Sequence, residues 1–235
     1  MKGAIVKIIG NWAHFKKPET NNNPLTHDFI TKTAFIGLIG AVLGVERNRM
    51  RPLFPQLSED LLYGVQILEA VKKESWAFKL RYAANLYEKR PVQMEFLKNP
   101  QFAVAVALQN ERSGEIFQRF VQSVETSEAR FTPVLGLHNC PAELSLLAKG
   151  EFTENIGNFK TKSFVTSEHH DLKDISQTAD FRIGLDKIPT GQNDDFWNDP
   201  VKYPYQQVLY PAPECELSVE GKYFQFSDGT NWVLL

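Results

Sequence analysis

The stretch TKTAFIGLIGAVLG, Thr31 to Gly44, decides how the chain is read. A threonine at its head is a good N-cap, because its side-chain oxygen accepts from an N–H that the first turn leaves unpaired. A glycine at its end is a good stop, since only glycine enters the left-handed conformation of a helix terminus without a steric penalty. A helix is therefore predicted from Lys32 to about Leu43. It is apolar almost all round and so has to be packed on both sides. Thr33, Gly37, Gly40 and Gly44 share one face, where small residues let a sheet or a ligand approach closely.

Before this helix, Ala4 to Ile9 (AIVKII) reads as a buried strand ended by Gly10. Asn11 to Ile30 has no period and reads as a loop. After it, Leu61 to Val71 reads as a second strand and Ala77 to Asn85 as an exposed extended segment. Gln101 to Leu108 (QFAVAVAL) reads as a short buried strand. Ile116, Phe117, Phe120, Val121 and Val124 recur at the helical period within Gly114 to Thr126. Ala142 to Ala148 (AELSLLA) fits a further strand or a short helix. The order is strand, helix, strand, insertion, strand, helix, strand, which is the split βαβ pattern of an α+β, ferredoxin-like domain. The insertion falls at about residues 72–100.

Past Gly150 the texture changes to short β-type pieces: Lys162 to Thr166, Ala179 to Leu185, Gln207 to Tyr210 and Tyr223 to Phe226. The expected division is a domain over 1–150 and a small β-rich C-terminal part over 151–235.

The 235 residues, 43% hydrophobic, are enough for a real core. No secretory signal is read at the N-terminus. The longest apolar stretch, Ala34 to Val45, is far short of the ~20 residues a membrane helix needs, so no membrane role is expected. Two cysteines, Cys140 and Cys215, give no disulfide framework and suit a reducing cytoplasm. Net charge is only −2 but uneven: residues 1–100 carry 15 Lys+Arg against 9 Asp+Glu, and the rest carry 11 against 19. A basic first half suits a polyanion, because Lys and Arg replace counterions on phosphates; chance imbalance on solvated surfaces is the alternative.

Three constellations carry candidate chemistry. Trp12-Ala13-His14-Phe15-Lys16-Lys17 follows the first strand and joins aromatic faces, which stack on unpaired bases, to lysines, which meet phosphates. Thr20, Asn21, Asn22, Asn23 and Thr26 add uncharged donors. The competing reading has Trp12 and Phe15 plugging the core edge. In Lys72-Lys73-Glu74-Ser75-Trp76-Ala77-Phe78-Lys79-Leu80-Arg81-Tyr82, a strand would put Trp76, Phe78, Leu80 and Tyr82 on one side and Lys79 and Arg81 on the other. With Lys89 and Arg90 this fits either a basic projecting hairpin or an ordinary amphipathic edge strand. Arg47, Arg49 and Arg51 supply guanidinium forks suited to phosphate or to plain solvation. No metal or cofactor is expected. His138 and Cys140, or His169, His170 and Asp171, lack ligand spacing, and no nucleophile motif or glycine-rich phosphate loop occurs. Asp194 and Asp195 read as a solvated loop rather than a paired acid and base.

Four pieces in order resemble the Cas-five family of CRISPR-associated proteins, of the RAMP superfamily, whose members are subunits of the type I surveillance complex called Cascade. They are Gly10 to Lys17; Leu25-Thr26 with Thr31 to Gly44; Glu95 to Phe102 (EFLKNPQF); and Phe131 to Ala142 (FTPVLGLHNCPA). The resemblance covers residues 1–150 and implies an RRM-like core with an inserted β-hairpin thumb. It implies a role in capping the 5′ handle of the crRNA and contacts with the backbone and large subunits of Cascade. Target DNA would be read by guide pairing, hence only indirectly. The residues implied for the RNA are Trp12, His14, Phe15, Lys16, Lys17, Thr26, Thr31, Lys32, Thr33, Arg47, Lys72, Lys73, Trp76, Lys79, Arg81 and Tyr82. Thr31 to Thr33 enter through the anion preference of a helix N-terminus. One branch of the family is a metal-independent endoribonuclease that matures the guide with tyrosine, lysine and histidine. This chain has His14 near Lys16 but lacks the adjacent lysine-histidine pair, so a non-catalytic member, of subtype I-B by its overall look, is expected.

Overall fold

The computed structural model describes the backbone of residues 1–20, 22–82, 85–173, 182–189 and 205–235, with the side chains of all these except 80–82 and 85–90. Strands β1 (Lys2–Ile9) and β2 (Trp12–Ala13) precede helices α1 (Lys32–Leu43) and α2 (Arg47–Asp60). Strands β3 (Leu61–Ile67), β4 (Lys73–Tyr82), β5 (Asn85–Lys98) and β6 (Gln101–Leu108) follow. A 3-10 turn at Glu111–Ser113 then leads into α3 (Gly114–Glu125). The last elements are β7 (Glu143–Thr161), β8 (Val165–Thr166), β9 (His170–Lys173), β10 (Ile183–Pro189), β11 (Tyr205–Pro211), β12 (Leu217–Phe226) and β13 (Asn231–Trp232). The fold is mixed α/β and dominated by sheet.

Helix α1 has the predicted ends. Thr31 Oγ1 accepts from the Ala34 N–H at 3.3 Å, and Gly44 closes the helix at φ 70°. Its small face does not back onto a sheet: Gly40 backs onto Met50 of α2 and Gly44 onto Arg130, while Gly37 faces open space. Helix α2 was not expected. Pro52 and Pro55 hide it from a propensity reading, and only Leu57 and Asp60 of its residues are buried.

The main sheet has seven strands in the order β13-β12-β7-β1-β6-β3, with β9 also beside β12. Neighbours pair antiparallel. Both of its faces are apolar, which is why β6 reads as an unbroken apolar run. On one face Phe102, Val104 and Val106 join Val6 and Ile8 under the helices, in a core with Phe35, Ile39, Phe117 and Phe120. On the other, Ala103, Ala105 and Ala107 meet Ile5, Phe152, Phe224, Phe226, Trp232 and Leu234. The alanines leave room for that row of rings. Strand β7, expected to be short or a helix, runs 19 residues and links the two halves of the sheet.

Beyond β13 the chain crosses to the opposite edge. The Leu235 N–H donates to Tyr63 O and the Tyr63 N–H to Leu235 O, both at 2.9 Å. Gly64 makes this possible, since a Cβ there would lie 2.5 Å from Val233 O. The last residues thereby cover the outer edge of β3. Among the described residues two three-stranded sheets stand beside it: β10-β11-β8 and β2-β5-β4.

Candidate nucleic-acid interface

The β2-β5-β4 sheet joins the two stretches that the sequence singled out. In its register Trp12 faces Lys98, Trp76 faces Met94, and Glu74 faces Phe96. Alternation places Glu74, Trp76 and Phe78 on one side with Phe96, Lys98 and Trp12. There the rings form a cluster: Trp12 lies edge-on to Trp76 at 4.5 Å, and Phe96 lies within 6 Å of both Trp76 and Phe78. Lys98 pairs with Glu74 and stands 5.9 Å above the Trp12 ring. Trp76 remains 40% exposed. Phe96 anchors the cluster in the core, and Trp76 keeps part of its ring in solvent.

The reverse side of the hairpin is tied down at its base. Lys73 Nζ donates to Thr26 O at 3.1 Å and pairs with Asp28 at 2.6 Å and Glu95 at 3.3 Å. Burial alone would lower the Lys73 ammonium, but the Asp28 and Glu95 carboxylates raise it. Lys16, Lys72 and Lys79 are exposed. No ion pair of theirs is seen among the described residues.

The loop residues separate into surface and interior. His14, Phe15, Thr26, Thr31 and Lys32 are each at most 5% exposed. The His14 Nδ1–H donates to Glu95 O at 2.7 Å, and burial lowers the ring's proton affinity. Phe15 packs on Phe102, and Thr26 Oγ1 accepts from the Phe15 N–H. Lys32 Nζ donates to Leu235 O at 3.0 Å, and burial pushes its ammonium down to about 8. Thr33, half-buried, shares a hydroxyl contact with Thr31. In this conformation these groups hold the surface in place rather than form it. Lys17 is paired to Asp186 at 2.8 Å. Arg47 is exposed on α2. The side chains of Arg81, Tyr82, Lys89 and Arg90, together with Asn21, Asp194 and Asp195, lie outside the described residues. Sequence reasoning missed Phe96 and Lys98 as parts of the ring cluster, although both stand in the EFLKNPQF piece. No helix among the described residues is long and apolar enough to cross a membrane.

A family model described as "CRISPR-associated protein (Cas_Cas5)" matches residues 5–209. Among curated proteins, none matches the chain in sequence. Two solved structures share its fold. One is the crystal structure of a CRISPR protein from Archaeoglobus fulgidus, 14% identical, with a TM-score of 0.60 over 99% of this chain and 98% of that one. The other is a chain of a CRISPR RNA-guided surveillance complex, 12% identical, with a TM-score of 0.52 over 92% of this chain and 91% of that one.

Proposed function

The chain belongs to the CRISPR-associated Cas5 family, and on that premise we propose that it is a non-catalytic RNA-holding subunit of a type I Cascade complex, capping the 5′ handle of the crRNA. In this reading the core is ferredoxin-like. The order β7-β1-β6-β3, with all pairs antiparallel and helices between β1 and β3 and between β6 and β7, supports it. The β4–β5 hairpin is the thumb, inserted between the second and third core strands. The C-terminal part completes the sheet, and other surfaces meet the backbone and large subunits.

The observation that carries the proposal is the hairpin sheet. One side presents a half-exposed tryptophan in a ring cluster, the other side carries exposed Lys79, and exposed Lys16 and Lys72 are nearby in sequence, all three lysines unpaired among the described residues. Rings that stack on bases and cations that meet phosphates are the materials of single-stranded RNA binding. The rear face of the main sheet is closed to such a ligand by Phe152, Phe224, Phe226 and Trp232. The endoribonuclease reading needs a base at a 2′-hydroxyl. His14, the histidine it would use, is 3% exposed, with Nδ1 committed to Glu95 O.

The test uses a labelled RNA carrying the 5′ handle of the chain's own CRISPR repeat. Wild type should retain it intact in EDTA. Lys16→Ala/Lys79→Ala should reduce the slope of log affinity against log salt by about 2. A discrete cut in EDTA would overturn the non-catalytic role, and an unchanged slope would put the RNA on another face.

A further inference from the structure

A second set of charges, used by neither the core nor the hairpin face, lies where β10 and β11 meet the Lys16–Ile30 loop. Asp186 of β10 is only 2% exposed. Burial alone would raise its carboxyl, but the His27 and Lys17 contacts and the Asp28 N–H hold it well below the usual carboxylate range. It accepts from Lys17 Nζ at 2.8 Å, from the Asp28 N–H at 2.9 Å, and from the His27 Nδ1–H at 3.2 Å. From β11, the Tyr210 hydroxyl donates to Asp28 Oδ2 at 2.5 Å, and Asp28 Oδ1 receives Lys73 of the hairpin base at 2.6 Å. Glu95, on the other hairpin strand, closes the chain of contacts. It pairs with Lys73, accepts from the Thr26 N–H at 3.1 Å, and gives its carbonyl to His14.

The junction is built for this geometry. Gly184 faces Tyr210 across β10–β11, and a Cβ on Gly184 would sit 2.0 Å from the Tyr210 ring. The bare glycine lets the ring lie across β10 and reach Asp28, with Phe29 edge-on at 5.5 Å. Ionised groups that are buried and paired are costly to leave half-paired, so the two ends of such a chain are held in one arrangement.

From this we infer that Asp186 and Tyr210 are positioning residues for the RNA surface: through Asp28 and Lys73 they fix the base of the β4–β5 hairpin against the loop that carries Trp12 to Lys17. The C-terminal strands thereby set the angle of a surface they do not themselves form. The RNA half of this inference rests on the function proposed above; the clamp half does not.

The experiment compares wild type with Tyr210→Phe, which keeps the ring and loses one hydroxyl, and with Asp186→Asn, which keeps the shape and loses the charge. Hydrogen exchange is followed at β4 and β5 near residues 73–76 and 94–98, with α3 as internal control. Binding is measured with the handle RNA and with a scrambled RNA of equal length. Both variants should speed exchange at the hairpin base severalfold, leave α3 unchanged, and weaken handle binding several- to tenfold more than scrambled binding. Unchanged exchange at the base overturns the clamp whatever the RNA does. Faster exchange with unchanged handle affinity overturns its link to RNA. Tighter binding in Asp186→Asn would instead make Asp186 a mask over Lys17 and overturn positioning. If wild type itself binds no RNA, the proposed function fails, while the exchange result still decides the clamp.

Discussion

The main sheet and the β4–β5 hairpin are both antiparallel and both rich in aromatic residues, yet they use their faces in opposite ways. Strand β6 is buried on both sides, with valines and Phe102 under the helices and alanines under the C-terminal rings. The hairpin buries Phe96 and leaves Trp76 in solvent. A ring among alanines has no freedom left and serves only cohesion. A ring at the rim of a cluster keeps one face for a ligand. The presence of aromatics on a strand therefore says little about binding until the opposite sheet, or its absence, is known.

Truncating a ring on each side breaks this comparison if it is wrong. Phe152→Ala, in the closed core, should cost about 3–5 kcal/mol of stability by the usual large-to-small penalty. Chemical denaturation reads it, and RNA affinity per folded molecule should not change. A loss below about 1 kcal/mol would mean that the rear face is looser than described.

The buried and exposed cations sharpen the same contrast. Lys32 in the body ionises at about 8, pushed there by burial, whereas an unfolded lysine ionises near ~10.4. Between those values the unfolded chain binds the extra proton, so stability rises with pH across that window. Relative to Lys32→Met, wild type should gain about 3 kcal/mol from pH 8 to 10.5, read from urea midpoints. Tyr63 and Tyr210, whose phenols burial raises, act in both proteins and cancel in the difference. A flat difference would show that the ammonium reaches water.

Trp76→Ala should have the smallest effect on stability, about 1 kcal/mol or less for a half-exposed ring. It should remove about 1–3 kcal/mol of RNA affinity by loss of one stacking surface. Fluorescence anisotropy with the handle RNA measures it, and equal loss of stability and binding would reduce Trp76 to a packing residue.

Much of the body was legible because local chemistry and burial agree there. Thr31 and Gly44 mark the ends of α1, and the unbroken apolar run of β6 marks a strand covered on both faces. Helix α2 was not legible, since Pro52 and Pro55 argue against a helix and its few buried residues give no apolar period. Strand β7 was cut short because its alternating charged residues look like turn material once its partner β12 is out of sight. At the candidate site, residue types singled out segments that one sheet brings together, but not which of their groups are spoken for. Lys17 and Lys73 read as free cations because Asp186 lies 169 residues from the first, and Asp28 sits in a stretch without a period. Spacing along a chain carries no information on a partner brought in by a crossover.

The pairing of Leu235 with Tyr63 also bears on how the protein is made. Until residues 217–235 have emerged, the apolar face of Ile5, Ala103, Ala105 and Ala107 lacks Phe224, Phe226, Trp232 and Leu234, and the outer edge of β3 is met only by Ser163 and Phe164. At ~5–20 residues per second of synthesis, the stretch from β6 to the closing contact takes on the order of 10 s. For that interval the nascent sheet has a sticky back, so chaperone capture and pairing with a second nascent copy compete with the docking of β12 and β13.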